Sequence, residues 1–238
     1  MRDAGKITGE AILAAGEVIK PGVTTAHIDH VIRTYIEKCG AVPTFLGYGG
    51  FPASACVSVN DEVIHGIPSQ LRVLKEGDIV KIDVGACYRG YNGDSARTFP
   101  VGKISEDAAR LIRVTEESFY KALEVIKAGA RIGDIGHAVE SHCVKNGFSV
   151  VRRYVGHGVG AELHEDPEVP NFGTAGHGAR LMNGMTIAVE PMVNAGAAAV
   201  YELPDGWTVK TKDGSLSAHY EHSIAVTDNG PELLTKVD

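Results

Sequence analysis

EVIKPGVTTAHIDHVIRTYIEKCG, residues Glu17–Gly40, returns 107 positions later as EVIKAGARIGDIGHAVESHCVKNG, residues Glu124–Gly147. Glu17/Glu124, Val18/Val125, Ile19/Ile126, Lys20/Lys127 and Gly22/Gly129 coincide, as do Ile28/Ile135, His30/His137, Lys38/Lys145 and Gly40/Gly147. One internal repeat of this period indicates two related halves, whereas a solenoid needs three or more units. In each copy a helix stops at a Lys-x-Gly (Gly22, Gly129), and a second helix closes at KCG or KNG. Lysine in the last turn followed by glycine is a helix C-terminal signal.

Strand-like runs follow each helix pair. The first half has SACVSVN, DIVKIDVGA and DSARTFPVG; the second has SVVRRYVGHG, MTIAVEPMV, WTVKT and AHYEHSIAVT. Helices followed by consecutive strands predict an α+β fold with a mainly antiparallel sheet and helices on its outside. No linker-like stretch separates the halves, so residues 1–238 are expected to form one pseudo-symmetric domain, with halves of about 1–105 and 106–238.

Composition narrows the class. The 238 residues carry 23 Lys and Arg against 30 Asp and Glu, a net charge of −7, which argues against nucleic-acid binding as the main purpose. Cys39, Cys56, Cys87 and Cys143 have no zinc-ribbon spacing and read as reduced thiols of a cytoplasmic protein. The first twenty residues lack a signal-peptide core, and no apolar stretch is long enough to span a membrane.

Polar residues in apolar runs carry the chemistry. Asp83 lies within DIVKIDVGA, Asp94 eleven positions on, Glu190 within MTIAVEPMV, Glu221 within AHYEHSIAV, and His157 between glycines in YVGHGVG. A buried carboxylate is costly unless something compensates its charge. Arg152 and Arg153 are the basic residues best placed to do so as ion-pair partners. The alternative is convergence on metal, because two divalent cations offset four carboxylates, and oxygen-rich ligands with one imidazole suit Mn²⁺, Fe²⁺, Co²⁺ or Zn²⁺. A turn centred near Tyr88–Arg89 is expected to set Asp83 opposite Asp94, with Asn92–Gly93 as a bulge.

VSVNDEVIHGIP, LKEGDIVKIDVGACYRGYNGDSARTF, GHGVGAELHEDP, MTIAVEPM and SAHYEHSIAVT together resemble, in order, the signature segments of type I methionine aminopeptidases. The likeness runs over essentially the whole chain. It implies the duplicated pita-bread fold, in agreement with the repeat. It also implies a two-metal centre held by Asp83, Asp94, His157, Glu190 and Glu221, with Asp94 and Glu221 bridging. The implied reaction removes the N-terminal methionine of nascent polypeptides, with a small second residue preferred and a metal-bridged hydroxide attacking the scissile carbonyl. His65 and His164 would contact the substrate, and Glu190 would shuttle a proton. Cys56 matches a position in the methionine side-chain pocket, with Tyr48, Phe51 and Trp207 as neighbours. Asn60, Glu62 and Ser217 match positions that hold a monovalent cation in some members. A cytoplasmic monomer meeting its substrates at the ribosome, without DNA or membrane partners, completes the expectation.

Two positions depart from the pattern: Leu163 stands where phenylalanine is frequent, and His219 where glutamine is common. The chain starts at what resembles the family's first helix, and neither a zinc-binding extension nor the type II insertion between Glu190 and Glu221 is present, which implies a bacterial-type, free-standing enzyme. The rival readings are an X-Pro peptidase, which usually carries an additional N-terminal domain, and a binding protein that has lost its chemistry.

Overall fold

The structure, a computed structural model, describes residues 1–237. Its first half runs through α1 (Arg2–Val18), α2 (Thr25–Lys38), β1 (Val42–Pro43), β2 (Ala55–Val59), β3 (Glu62–Ile64), β4 (Ile79–Tyr88) and β5 (Tyr91–Pro100). The second begins with α3 (Glu106–Val125), α4 (Ile132–Lys145), β6 (Ser149–Val150), β7 (Gly156–Gly158) and β8 (Glu165–Val169). It continues with β9 (Thr186–Val189), β10 (Met192–Asn194), β11 (Val200–Glu202), β12 (Val209–Thr211), β13 (Ser217–His219), β14 (His222–Thr227) and β15 (Gly230–Leu233).

The repeat is realised residue for residue in the helices. α1 and α3 end at Val18 and Val125, and α2 and α4 cover equivalent spans. Gly22 and Gly129 take φ of 91° and 92°, left-handed values open to glycine at little cost. The Thr24 and Ser105 hydroxyls cap α2 and α3 by accepting the His27 and Ala108 N–H groups. Along α1, buried Ala4, Ile7, Ala11, Ile12 and Ala15 follow a helical period, and α2 buries Ile28, Ile32 and Ile36. These stripes pack on Val57, Val59, Val80, Ile82, Val84 and Ala86. In the second half Leu111, Phe119, Ile135 and Val139 cover Ile187, Val189, Val193 and Ile224 in the same way. Burying each such side chain contributes about 1.5–3 kcal/mol, which is why both helix pairs lie on the outside of the strands.

Among the described residues all strand pairings are antiparallel, as expected, and the strands form four hydrogen-bonded sheets. β4 is flanked by β5 on one edge and by β1 and β2 on the other; β15-β14-β9-β7-β8 is the matching sheet of the second half. The two are stitched where the Glu221 N–H donates to the Ala96 carbonyl at 2.8 Å and the Ala96 N–H to the Glu221 carbonyl at 3.4 Å.

The β4–β5 hairpin corrects the expected register. Its two turn residues are Arg89 and Gly90, with φ of 52° and 79°, the two positive values of a type I′ turn. Tyr88 therefore pairs with Tyr91, Asp83 with Ala96 and Asp94 with Gly85, and Asn92–Gly93 continues the ladder without a bulge. Side chains alternate with period two, so this two-residue slip leaves both aspartates on one face, diagonal to one another.

A candidate two-metal centre beside a hydrophobic pocket

Alternation along β4 sends Val80, Ile82 and Val84 to the helices, leaving Asp83 on the opposite face. Glu190 lies in the gap between β9 and β10, where Pro191 follows it, and Glu221 in the gap between β13 and β14. His157 is the middle residue of β7. A Cβ at Gly158 would lie 2.3 Å from the Asp166 carbonyl oxygen, so the backbone beside His157 can run this close only as glycine. All five expected ligands line one cavity of about 140 Å³. Ligand atoms of Asp94, His157 and Glu221 lie within 4.8 Å of one another, and His157 Nε2 is 3.6 Å from Asp94 and 3.5 Å from Glu190.

The donor set fits a divalent cation. His157 places Nδ1 2.8 Å from the Gly158 carbonyl, which can only accept, so the proton sits on Nδ1 and Nε2 presents a lone pair to the carboxylates. A lone pair facing carboxyl oxygens needs a proton or a cation between them, and a divalent ion meets the need while ionising the carboxyls. Asp83 Oδ1, Asp94 Oδ1 and Glu221 Oε1 are buried without hydrogen-bond partners, each a penalty of about 1–3 kcal/mol or more if nothing fills the site. Neither arginine pairs with these acids. Arg152 binds Glu140 and stacks on Phe172, and Arg153 stacks on Tyr154.

The electrostatics agree. Burial, then mutual repulsion, pushes Asp83, Glu190 and Glu221 well above the usual carboxylate range. Burial pushes Asp94 up to about 7 and lowers His157 to about 4. Without metal the cluster holds protons; a cation competes with them for the same oxygens.

Beside the acids the cavity is apolar and aromatic. Tyr48, Phe51, Cys56 and Trp207, all expected there, line it with His65 and His164. Phe51 and Trp207 meet edge-to-face with centroids 5.1 Å apart. Burial raises the Cys56 thiol, so it acts as a small apolar surface. The His164 ring lies 4.3 Å from that of His157, and its Nδ1 is 2.7 Å from the Tyr48 hydroxyl. His65 has a φ of 58°, unusual for a side chain other than glycine or asparagine, and its ring packs edge-on to Tyr154 and Trp207. Burial lowers His65 to about 4 and also lowers His164, so both are neutral near pH 7.

Four residues lay outside the predicted set. Phe45, from a loop without strand pattern, lines the cavity, as does Leu163, which the motif comparison had marked only as a departure. Lys81 is fully buried two residues before Asp83, and its ammonium donates to the Asn60 carbonyl at 2.7 Å; that carbonyl also accepts the Ser217 N–H. His219 sits against Glu190 and Glu221 with both ring nitrogens unpaired. No periodicity marks any of these positions; only a lysine and a histidine in buried strands hint at them.

The model of metallopeptidase family M24 matches residues 1–228, and the chain belongs to that family. Within it, the chain is 55% identical over 235 residues to a methionine aminopeptidase of Clostridium acetobutylicum, covering 99% of this chain and 94% of the relative. The methionine aminopeptidase 1 of Bacillus subtilis is 52% identical, covering 100% and 95%. The crystal structure of methionine aminopeptidase from Thermotoga maritima superposes with a TM-score of 0.98 at 48% identity, over 100% of this chain and 95% of that one. The chain is thus of the methionine aminopeptidase branch of the M24 metallopeptidases. Prolidase from Pyrococcus furiosus shares the fold at 24% identity and a TM-score of 0.78, but this chain covers 63% of it.

Proposed function

We propose that the protein removes N-terminal methionine from polypeptides, with Asp83, Asp94, His157, Glu190 and Glu221 holding two divalent ions of the Mn, Fe, Co or Zn type. The observation that carries the proposal is the set of buried, unpaired carboxylate oxygens around the His157 lone pair, opening onto an aromatic pocket. Bound ions there would polarise the scissile carbonyl and lower the pKa of the attacking water.

The chain's own residues do the rest. Phe51, Trp207, Cys56 and Leu163 bury the methionine side chain and exclude water from it. With the Tyr48 hydroxyl donating to Nδ1, neutral His164 keeps its proton on Nε2 and donates it to the substrate carbonyl region. His65 lines the same cavity and contacts the substrate from the Trp207 side. Glu190, desolvated and beside His157, carries the proton to the leaving amine.

Both halves contribute ligands, which supports residues 1–238 acting as one catalytic domain. Among the described residues no helix is long and apolar enough to cross a membrane, compatible with a cytoplasmic monomer acting on nascent chains at the ribosome. The Lys81 amine, which burial lowers to about 7, already donates to the Asn60 carbonyl, so a monovalent cation near Asn60, Glu62 and Ser217 would share that carbonyl with it.

The test is incubation of metal-free protein with Mn²⁺ or Co²⁺ and the peptides Met-Ala-Ser and Ala-Pro-Ser. Metal-dependent release of methionine alone is expected. Cleavage of the proline peptide instead would move the chain to the X-Pro branch, and cleavage of neither would refute the proposal.

A further inference from the structure

His219 is 1% exposed, and its backbone is held in place because Thr98 on β5 binds both its N–H and its carbonyl, at 2.9 and 2.8 Å. The ring therefore stays inside the acid cluster. Neither ring nitrogen has a hydrogen-bond partner, yet Nε2 lies 3.8 Å from a carboxylate oxygen of Glu190 and 3.8 Å from one of Glu221. A buried polar ring without partners is rare in folded proteins and asks for a use.

The tautomer supplies one. The proton of a neutral imidazole goes to the nitrogen that faces an acceptor. Nδ1 of His219 faces none, whereas Nε2 faces two carboxyl groups that can only accept once bound cations keep them ionised. His157, at the other side of the same carboxylates, has the opposite arrangement, with Nδ1 on the Gly158 carbonyl and Nε2 bare. One imidazole offers a lone pair and the other an N–H.

We propose that His219 is a positioning residue: its Nε2–H is the shared donor that turns the carboxylates of Glu190 and Glu221 so that their other oxygens face the metals. It is not a sixth ligand. This rests on the two-metal reading above and adds to it a residue that sets metal affinity from behind the ligands, since donors of this kind are worth about 10–100-fold in affinity.

The test compares wild type with His219→Gln, which keeps an N–H donor, and His219→Leu, which does not. Zn²⁺ affinity is measured by chelator competition and the metal-free melting temperature is recorded in parallel. Expected is binding by His219→Gln close to wild type and about 10–100-fold weaker binding by His219→Leu, with metal-free melting little changed. Binding by His219→Leu equal to wild type, or by His219→Gln as weak as His219→Leu, overturns the proposal. Should His219→Leu fail to fold, ¹⁵N spectra of the imidazoles in wild type decide the matter. Nε2 of His219 is expected to keep its hydrogen when Zn²⁺ is added, and its loss to coordination would overturn the assignment. A wild type that binds no Zn²⁺ would overturn the proposed function itself.

Discussion

Lowering the pH of the protein from 7 to 6 is expected to weaken divalent-metal binding at least about fivefold. Metal binds the ionised carboxylates, while the metal-free fold, by burial and mutual repulsion, holds them protonated. For Asp94, pushed up to about 7, the ionised fraction is about one half at pH 7 and about one in eleven at pH 6, a ratio of roughly five. Asp83, Glu190 and Glu221, also pushed well above the usual carboxylate range, steepen the dependence in the same direction. His157, lowered to about 4, is neutral at both pH values and contributes nothing to the slope. The sign is fixed: affinity rises with pH, and binding releases protons at pH 6. Calorimetric titration of metal-free protein with Mn²⁺, in two buffers of different ionisation enthalpy, reads both quantities. Equal affinities at pH 6 and 7 with no proton release would mean that the carboxylates are already ionised in the empty fold. The reasoning from burial would then be wrong.

Replacing Glu190 by glutamine would remove the proposed ligand oxygen and proton carrier, and kcat/KM for Met-Ala-Ser should fall by about 10²-fold or more at an unchanged far-UV spectrum. The Tyr48→Phe variant, deprived of the hydroxyl on His164 Nδ1, should lose about 2- to 10-fold in kcat with little change in metal affinity measured by titration. A Cβ at Gly93 would lie 2.8 Å from the Gly5 backbone and from the Thr8 hydroxyl, so Gly93→Ala must push α1 off β5; urea unfolding should show a loss of about 1–3 kcal/mol.

What could be read without coordinates was local or additive. The helix-ending glycines Gly22, Gly40, Gly129 and Gly147 each act through neighbours a few residues away. The four acids and the imidazole stood out because a charged group in an apolar run needs compensation wherever the run ends up. The hairpin register was harder. Tyr88–Arg89, Arg89–Gly90 and Asn92–Gly93 are all acceptable turn centres locally, and the packing of Gly93 against Gly5 on α1 is a contact that selects among them from 88 residues away.

The sequence by itself determined the two-fold helix plan, the antiparallel strands and the identity of the residues that meet at the centre, because periodicity, capping and the cost of buried charge are properties of short stretches. Tertiary structure alone decided that Glu190 and Glu221 lie in strand gaps, that Asp94 faces Gly85, and that Lys81 ends on the Asn60 carbonyl. It also decided which nitrogen each buried imidazole presents to the acids. Those outcomes depend on which atoms approach across the interface of the two halves, and a hydrogen-bond partner more than a hundred residues away, such as Thr98 for His219, leaves no mark on the local pattern.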